Sequence, residues 1–212
     1  LSNVLLRAEG TGLTLEATDL FLAAKSQCQG EVKSEGALAV SSKTLLDLAK
    51  SMPDGPLKLR RESESQIVLE GGKSSFRLPF VAADEFPELP STPEDGLMSF
   101  DADALAALIG RTHFSMLTDD SRPHLAGALF QGRGQALQMV TTDGHRLSKA
   151  EVKTEAGAYD FSMFIPARAL AELRRLADDA KGAAKGSDDD EQGASTAAKI
   201  SIAKSGAHIF VK

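Results

Sequence analysis

The sequence predicts an α+β fold made of two tandem copies of one unit, each with amphipathic helices packed on antiparallel sheet. Three observations carry this. Short stretches alternate apolar and polar residues, as half-buried strands do. Segments of about three turns carry their apolar residues on one face, as surface helices do. The same order of elements then returns about 124 positions later in the 212-residue chain, a self-similarity that marks repeat architectures.

The first copy opens with Val4-Leu5-Leu6-Arg7 and Gly12-Leu13-Thr14-Leu15-Glu16-Ala17-Thr18-Asp19, two strands joined by a Glu-Gly-Thr-Gly turn. Ala128-Leu129-Phe130-Gln131 and Ala136-Leu137-Gln138-Met139-Val140-Thr141-Thr142-Asp143 repeat the pair around a Gly-Arg-Gly turn. Leu38–Ser42 then leads into a helix over Lys43–Met52, with Ser41 or Ser42 placed to cap its free N–H groups. Met163–Ala167 leads into a helix over Arg168–Ala177, with Pro166 near its first position. Leu45, Leu48, Ala49 and Met52 share one face of the first helix, and Leu170, Leu173, Leu176 and Ala177 one face of the second.

Hairpins come next in both copies: Leu57–Arg61, Gln66–Leu69 and Ser74–Leu78 in the first, Lys199–Ala203 with Ala207–Val211 in the second. Between helix and hairpin the second copy inserts residues 178–198, rich in Ala, Gly, Asp and Lys, which reads as a disordered loop. Its Asp-Asp-Asp-Glu run lacks the spaced ligands of a calcium loop. The second copy also has a preface: a strand over Leu97–Phe100, then a helix capped by Asp101 or Asp103 and running to about Met116. That helix buries a stripe of Leu105, Leu108, Ile109 and Thr112. By the repeat, an equivalent strand and helix of roughly 30 residues is expected upstream of Leu1. The expected divisions are a first domain at 1–90 lacking its N-terminal strand and helix, a Pro- and Ser-containing linker at 91–96, and a second domain at 97–212 lacking its C-terminal end.

Composition narrows the class. Cys28 is the single cysteine, which rules out an internal disulfide and fits a reducing cytoplasm. No apolar run approaches the ~20 residues of a membrane span, so no membrane partner is expected. The net charge of −6 is unevenly spread, because residues 178–191 hold six acids against two bases and leave only −2 for the rest. Whole-chain charge therefore says little about any one face.

One stretch invites chemistry: Thr142-Asp143-Gly144-His145-Arg146-Leu147, a turn that presents His beside Arg. Asp143, His145 and His124 could be drawn together as a hydrolase-like set, but no Gly-x-Ser-x-Gly elbow accompanies them. Only four His are present, with no His-Glu-x-x-His or His-x-His pair, so neither a metal nor another cofactor is expected. The repeat dissects the stretch further. Thr142-Asp143 recurs as Thr18-Asp19 and is expected to be scaffold, with Asp bonding backbone. Gly144-His145-Arg146 aligns with Leu20-Phe21-Leu22 in the other copy, so only the second carries the candidate for function.

Taken in order, several stretches resemble the bacterial DNA polymerase III β subunit family of sliding clamps: Thr-Asp-Leu at 18–20, Ala-Ala-Asp-Glu-Phe-Pro at 82–87, Phe-Ser-Met at 114–116, Leu-Ala-Gly-Ala-Leu-Phe at 125–130 and Thr-Asp-Gly-His-Arg-Leu at 142–147. The resemblance covers nearly the whole chain. It implies tandem DNA-clamp domains, the first two of three, in a homodimeric six-domain ring whose sheets lie outside and whose helices surround double-stranded DNA. It implies a non-catalytic processivity factor in DNA replication. Its partners would be the DNA polymerase III α subunit, the clamp loader, and other polymerases and repair proteins.

The resemblance also implies sites. Leu125, Thr142, Gly144, His145, Arg146 and Leu147 would line a pocket for a short Gln/Leu/Phe-type peptide, completed by the end of the second domain and by the third. The DNA-facing candidates are Lys43, Lys50, Arg111, Arg168, Arg174 and Arg175 on or near helices. Arg122 joins them from the loop 118–124, where Pro123-His124 stands in place of an aromatic pair seen in some relatives. Without the resemblance, a hydrolase-like enzyme and a repeat-built protein-interaction module with no DNA role stay open.

Overall fold

The computed structural model describes residues 2–117, 122–154, 158–185 and 198–212. It divides the chain into two compact units, Leu1–Pro90 and Ser91–Lys212. In the first, strands β1 (Asn3–Glu9), β2 (Gly12–Thr18), β3 (Ala23–Gln29) and β4 (Gly36–Ser41) precede helix α1 (Ser42–Ser51). Strands β5 (Leu57–Arg61), β6 (Gln66–Gly71) and β7 (Ser74–Ala82) come after it. They form one antiparallel sheet in the order β3-β2-β1-β4-β7-β6-β5. β7 makes the sheet continuous, because Ser74–Pro79 pair with β6 while Phe80–Ala82 pair with β4. The strand thus runs through Pro79, past the expected end at Leu78. Alternation does the packing: Val4, Leu6, Val40, Ile67, Leu69 and Leu78 point inward, and α1 covers them with half-buried Leu45, Leu48 and Met52. Ala49, expected on that face, is exposed. Ser41 caps α1, its hydroxyl accepting the Thr44 N–H at 3.3 Å.

The second unit runs β8 (Met98–Asp101), α2 (Ala102–Thr112), β9 (Gly127–Gly134), β10 (Ala136–Thr142), β11 (Leu147–Lys153), β12 (Tyr159–Pro166), α3 (Ala167–Lys185), β13 (Lys199–Ser205) and β14 (His208–Val211). Its strands make two antiparallel sheets, β11-β10-β9-β12 and β14-β13-β8. Phe100, Phe130, Leu137, Met139, Ile165 and Ile202 are fully buried with Leu105, Leu108 and Ile109 of α2 and Leu170 of α3. Phe100 meets Phe130 edge-on, ring centroids 5.4 Å apart.

The repeat holds in register. Arg7 faces Thr14 in the first unit, and Gln131 faces Gln138, each 124 positions on, in the second. Leu15–Ser26 and Met139–Ala150 correspond in the same way. Leu5–Ala39 becomes Leu129–Phe164, so β12 follows β4 at an offset of 125. The extra residue falls between β11 and β12, and the pairing of β12 with β9 keeps its register.

Expectations for the second unit's helices are corrected. α3 does not end at Ala177; it runs 19 residues to Lys185, so the insertion begins later than 178. The added turns are held by Ala180, half-buried against the core, and by a 2.8 Å ion pair from Lys181 to Asp103. The remaining insertion, 186–197, lies outside the described residues. Leu176 is 38% exposed rather than part of the buried face, which is Leu170, Leu173 and Ala177. Asp101 precedes α2 without a side-chain cap bond; the Ala102 N–H is instead satisfied by the Ala198 carbonyl. α2 itself stops at Thr112 and passes into a 3-10 turn over His113–Ser115.

Candidate functional site

The turn between β10 and β11 is built by two side chains. The Thr142 hydroxyl donates to the Arg146 carbonyl at 2.7 Å and accepts the Gly144 N–H at 3.1 Å. Asp143 Oδ1 accepts the N–H groups of His145 and Arg146 at 3.0 and 2.9 Å. Its Oδ2 takes the Arg146 guanidinium Nε–H at 2.9 Å. These donors favour the carboxylate, the backbone N–H of Arg146 most and that of His145 next, and hold the Asp143 pKa down at about 2.

The other copy builds the same turn. Thr18 Oγ1 donates to the Leu22 carbonyl at 2.8 Å and accepts the Leu20 N–H at 2.9 Å. Asp19 Oδ1 accepts the N–H groups of Phe21 and Leu22 at 2.9 and 2.7 Å. Thr-Asp is therefore scaffold in both units. The geometry also demands a left-handed residue after Asp. Gly144 meets it at φ +90°, while Leu20 adopts φ +76°, the one positive-φ non-glycine among the described residues. The sequence contained that signal, since Leu20 occupies the position of Gly144.

What the second turn presents is mixed. Leu147 is 64% exposed, Gly144, His145 and Arg146 are exposed, and Leu125 is half-buried. A Cβ added to Gly144 would lie 3.3 Å from Arg122 Nη1 and 3.9 Å from Leu125 Cδ1. Gly144, Leu125 and Arg122 thus form one wall. Arg122, grouped by sequence with the helical cations, stands beside this turn; the Leu125 N–H bonds its carbonyl at 2.9 Å. The rest of its loop, 118–121, lies outside the described residues.

Behind the wall runs a polar seam that sequence reasoning missed. Ser148 and Ser115 hydroxyls meet at 2.6 Å, and Thr141 Oγ1 donates to the Thr112 carbonyl. Thr112, Ser115 and Thr141 are buried, so these bonds tie the β10–β11 turn to the end of α2. Isolated Ser and Thr carry no sequence signal for such a bond.

The hydrolase-like set is overturned. Asp143 spends its carboxylate on backbone N–H groups and Arg146, and no ring nitrogen of His145 or His124 bonds it among the described residues. No cluster of three His, Cys, Asp or Glu that could hold a metal occurs among the described residues. No described helix is long and apolar enough to cross a membrane.

Of the helical cations, Lys43 and Lys50 on α1 are exposed and form no ion pair among the described residues. Arg111 is exposed in the last turn of α2, and Arg168 is exposed in the first turn of α3. Arg174 and Arg175 differ. Arg174 Nε lies 3.8 Å from Asp178, and Arg175 is held by Glu172 at 2.9 Å and Asp179 at 3.0 Å.

Comparison with known proteins finds two domain families, in order. Residues 1–90 match the DNA polymerase III beta subunit, N-terminal domain, and residues 99–186 match its central domain. The beta sliding clamp of Caulobacter vibrioides is 32% identical over 187 residues, which is 85% of this chain and 50% of that protein. That of Pseudomonas aeruginosa is 34% identical over 178 residues, 83% of this chain and 48% of that protein. The crystal structure of the DNA polymerase III subunit beta from Pseudomonas aeruginosa superposes with TM-score 0.83 at 30% identity, covering 100% of this chain and 55% of that one. The chain spans about half the length of the curated relatives it matches. With two domains of one family matched in succession across two units that repeat in register, the chain belongs to the DNA polymerase III beta subunit family.

Proposed function

We propose that this chain forms part of a DNA sliding clamp, a non-catalytic processivity factor that acts in the cytoplasm as a homodimeric ring around double-stranded DNA. The observation that carries the reading is the succession of both domain matches on one repeated α+β unit. A ring needs little affinity for what it encloses. Weak, salt-sensitive attraction between helix-borne cations and phosphates is enough, and it permits sliding. Lys43, Lys50, Arg111, Arg168, Arg174 and Arg175 are the residues for that contact.

The turn Thr142–Leu147 with Leu125 is the docking wall for a short Gln/Leu/Phe-type peptide. Such peptides would be carried by the DNA polymerase III α subunit, the clamp loader, and other polymerases and repair proteins. Leu125 and Leu147 supply apolar surface, and Gly144 lets a ligand approach the backbone. The Arg146 stem is fixed by its bond to Asp143, so it packs without a large ordering cost on binding. We place Arg122 at this wall rather than at DNA.

Retention on DNA tests the reading. The full-length subunit, once loaded, should stay on a circular duplex and leave when that duplex is linearised. Equal retention on both forms would refute enclosure.

A further inference from the structure

The basic residues of α1 and α3 are not in the same electrostatic state. On α1, Lys43 and Lys50 pair with no carboxylate among the described residues, although Asp47 is one turn from each. On α3, every described base from Arg174 to Lys181 has an acid partner. Arg174 has Asp178 at 3.8 Å, Arg175 has Glu172 and Asp179 at 2.9 and 3.0 Å, and Lys181 has Asp103 at 2.8 Å. Asp178 and Asp179 sit in the stretch of α3 that extends beyond Ala177. The repeat places no counterpart of them on α1, which ends at Ser51.

We propose that Asp178 and Asp179 act as a built-in brake on DNA attraction, neutralising Arg174 and Arg175 so that this stretch of α3 meets phosphate with little net charge. This rests on the reading of these helices as the DNA-facing elements. The pairs are exposed, so they contribute little to stability. Their consequence lies in binding. A phosphate that approaches Arg175 also approaches two fixed carboxylates, and an arginine already paired releases few counterions when it meets DNA. Asp178 and Asp179 are therefore tuning residues, and they keep contact with the duplex loose enough to slide.

The test is the affinity of the 212-residue chain for a short fluorescent duplex, measured by anisotropy across a salt series. Asp178→Asn with Asp179→Asn should tighten binding at least about threefold at low salt and steepen the log K against log salt slope by up to about 2. Glu94→Gln with Asp95→Asn makes the same charge change in the segment between the units and should do markedly less. The gain should vanish when Arg174→Gln and Arg175→Gln are added. A gain equal to the control's, or one that survives loss of the arginines, overturns the brake. The DNA-facing reading itself falls separately, if Lys43→Gln with Lys50→Gln leaves wild-type affinity unchanged.

Discussion

The turns at Thr18–Leu22 and Thr142–Arg146 share five hydrogen bonds and a left-handed third residue, yet they expose opposite chemistries. The first shows Leu20 and Phe21, 73% and 83% exposed; the second shows Gly, His and Arg. The difference separates the role of Thr-Asp from that of the three residues after it. Thr and Asp satisfy the backbone and fix the path of the chain. The next residues are free to vary, and only the second copy uses glycine, which admits a neighbour close to the main chain. The helices differ in the same sense. α3 packs on α2 and buries Leu170 and Leu173, whereas α1 has no fully buried residue and lies against strands β1 and β4.

That contrast is sharpened first by core truncation. Leu170→Ala should destabilise the second unit by roughly 2–5 kcal/mol, since its side chain is 1% exposed and packed in the core. Leu48→Ala, on the half-covered α1, should cost the first unit about 1 kcal/mol or less. Thermal unfolding with a probe in each unit checks both; equal losses would break the comparison. Next come the mirror substitutions in the turns. Gly144→Leu should cost about 1–2 kcal/mol by forcing a side chain into the left-handed region, beside Arg122. Leu20→Gly should be neutral or stabilising by up to about 1 kcal/mol, because the same strain is removed and no buried surface is lost.

The smallest effect concerns pH. The folded pKa of Asp143, about 2, lies below its ordinary 3.8, so the turn's stabilisation is full above about pH 4 and is lost as pH falls toward 2. Arg146→Gln should leave the NMR titration midpoint well below 3.8, because the backbone N–H groups of Arg146 and His145 are the larger causes and persist. A midpoint that returns to 3.8 would transfer the effect to the guanidinium.

Much of this was legible in the sequence, for a physical reason. Strand alternation at Val4–Leu6 and Leu137–Met139 and the helix stripes record burial directly. The Thr-Asp repeat disclosed the turn scaffold because those side chains act locally. β3 was not foreseen, since its seven residues are all exposed and carry no apolar period; pairing with β2 alone makes it a strand. The length of α3 was hidden because Asp-Asp-Ala-Lys-Gly reads as a solvated loop, and the ion pair of Lys181 with Asp103 is long-range in sequence. Arg122 and the Ser115–Ser148 bond depend on the same kind of distant pairing.

The central claim, that the two turns share a scaffold and differ in function, is tested most directly by exchanging what they carry. In the full-length subunit, Gly144→Leu with His145→Phe and Arg146→Leu writes the first turn into the second. The variant should fold with the turn retained, and its affinity for a fluorescent Gln/Leu/Phe-type peptide should fall at least about tenfold. Unchanged peptide affinity in the folded variant would contradict that claim.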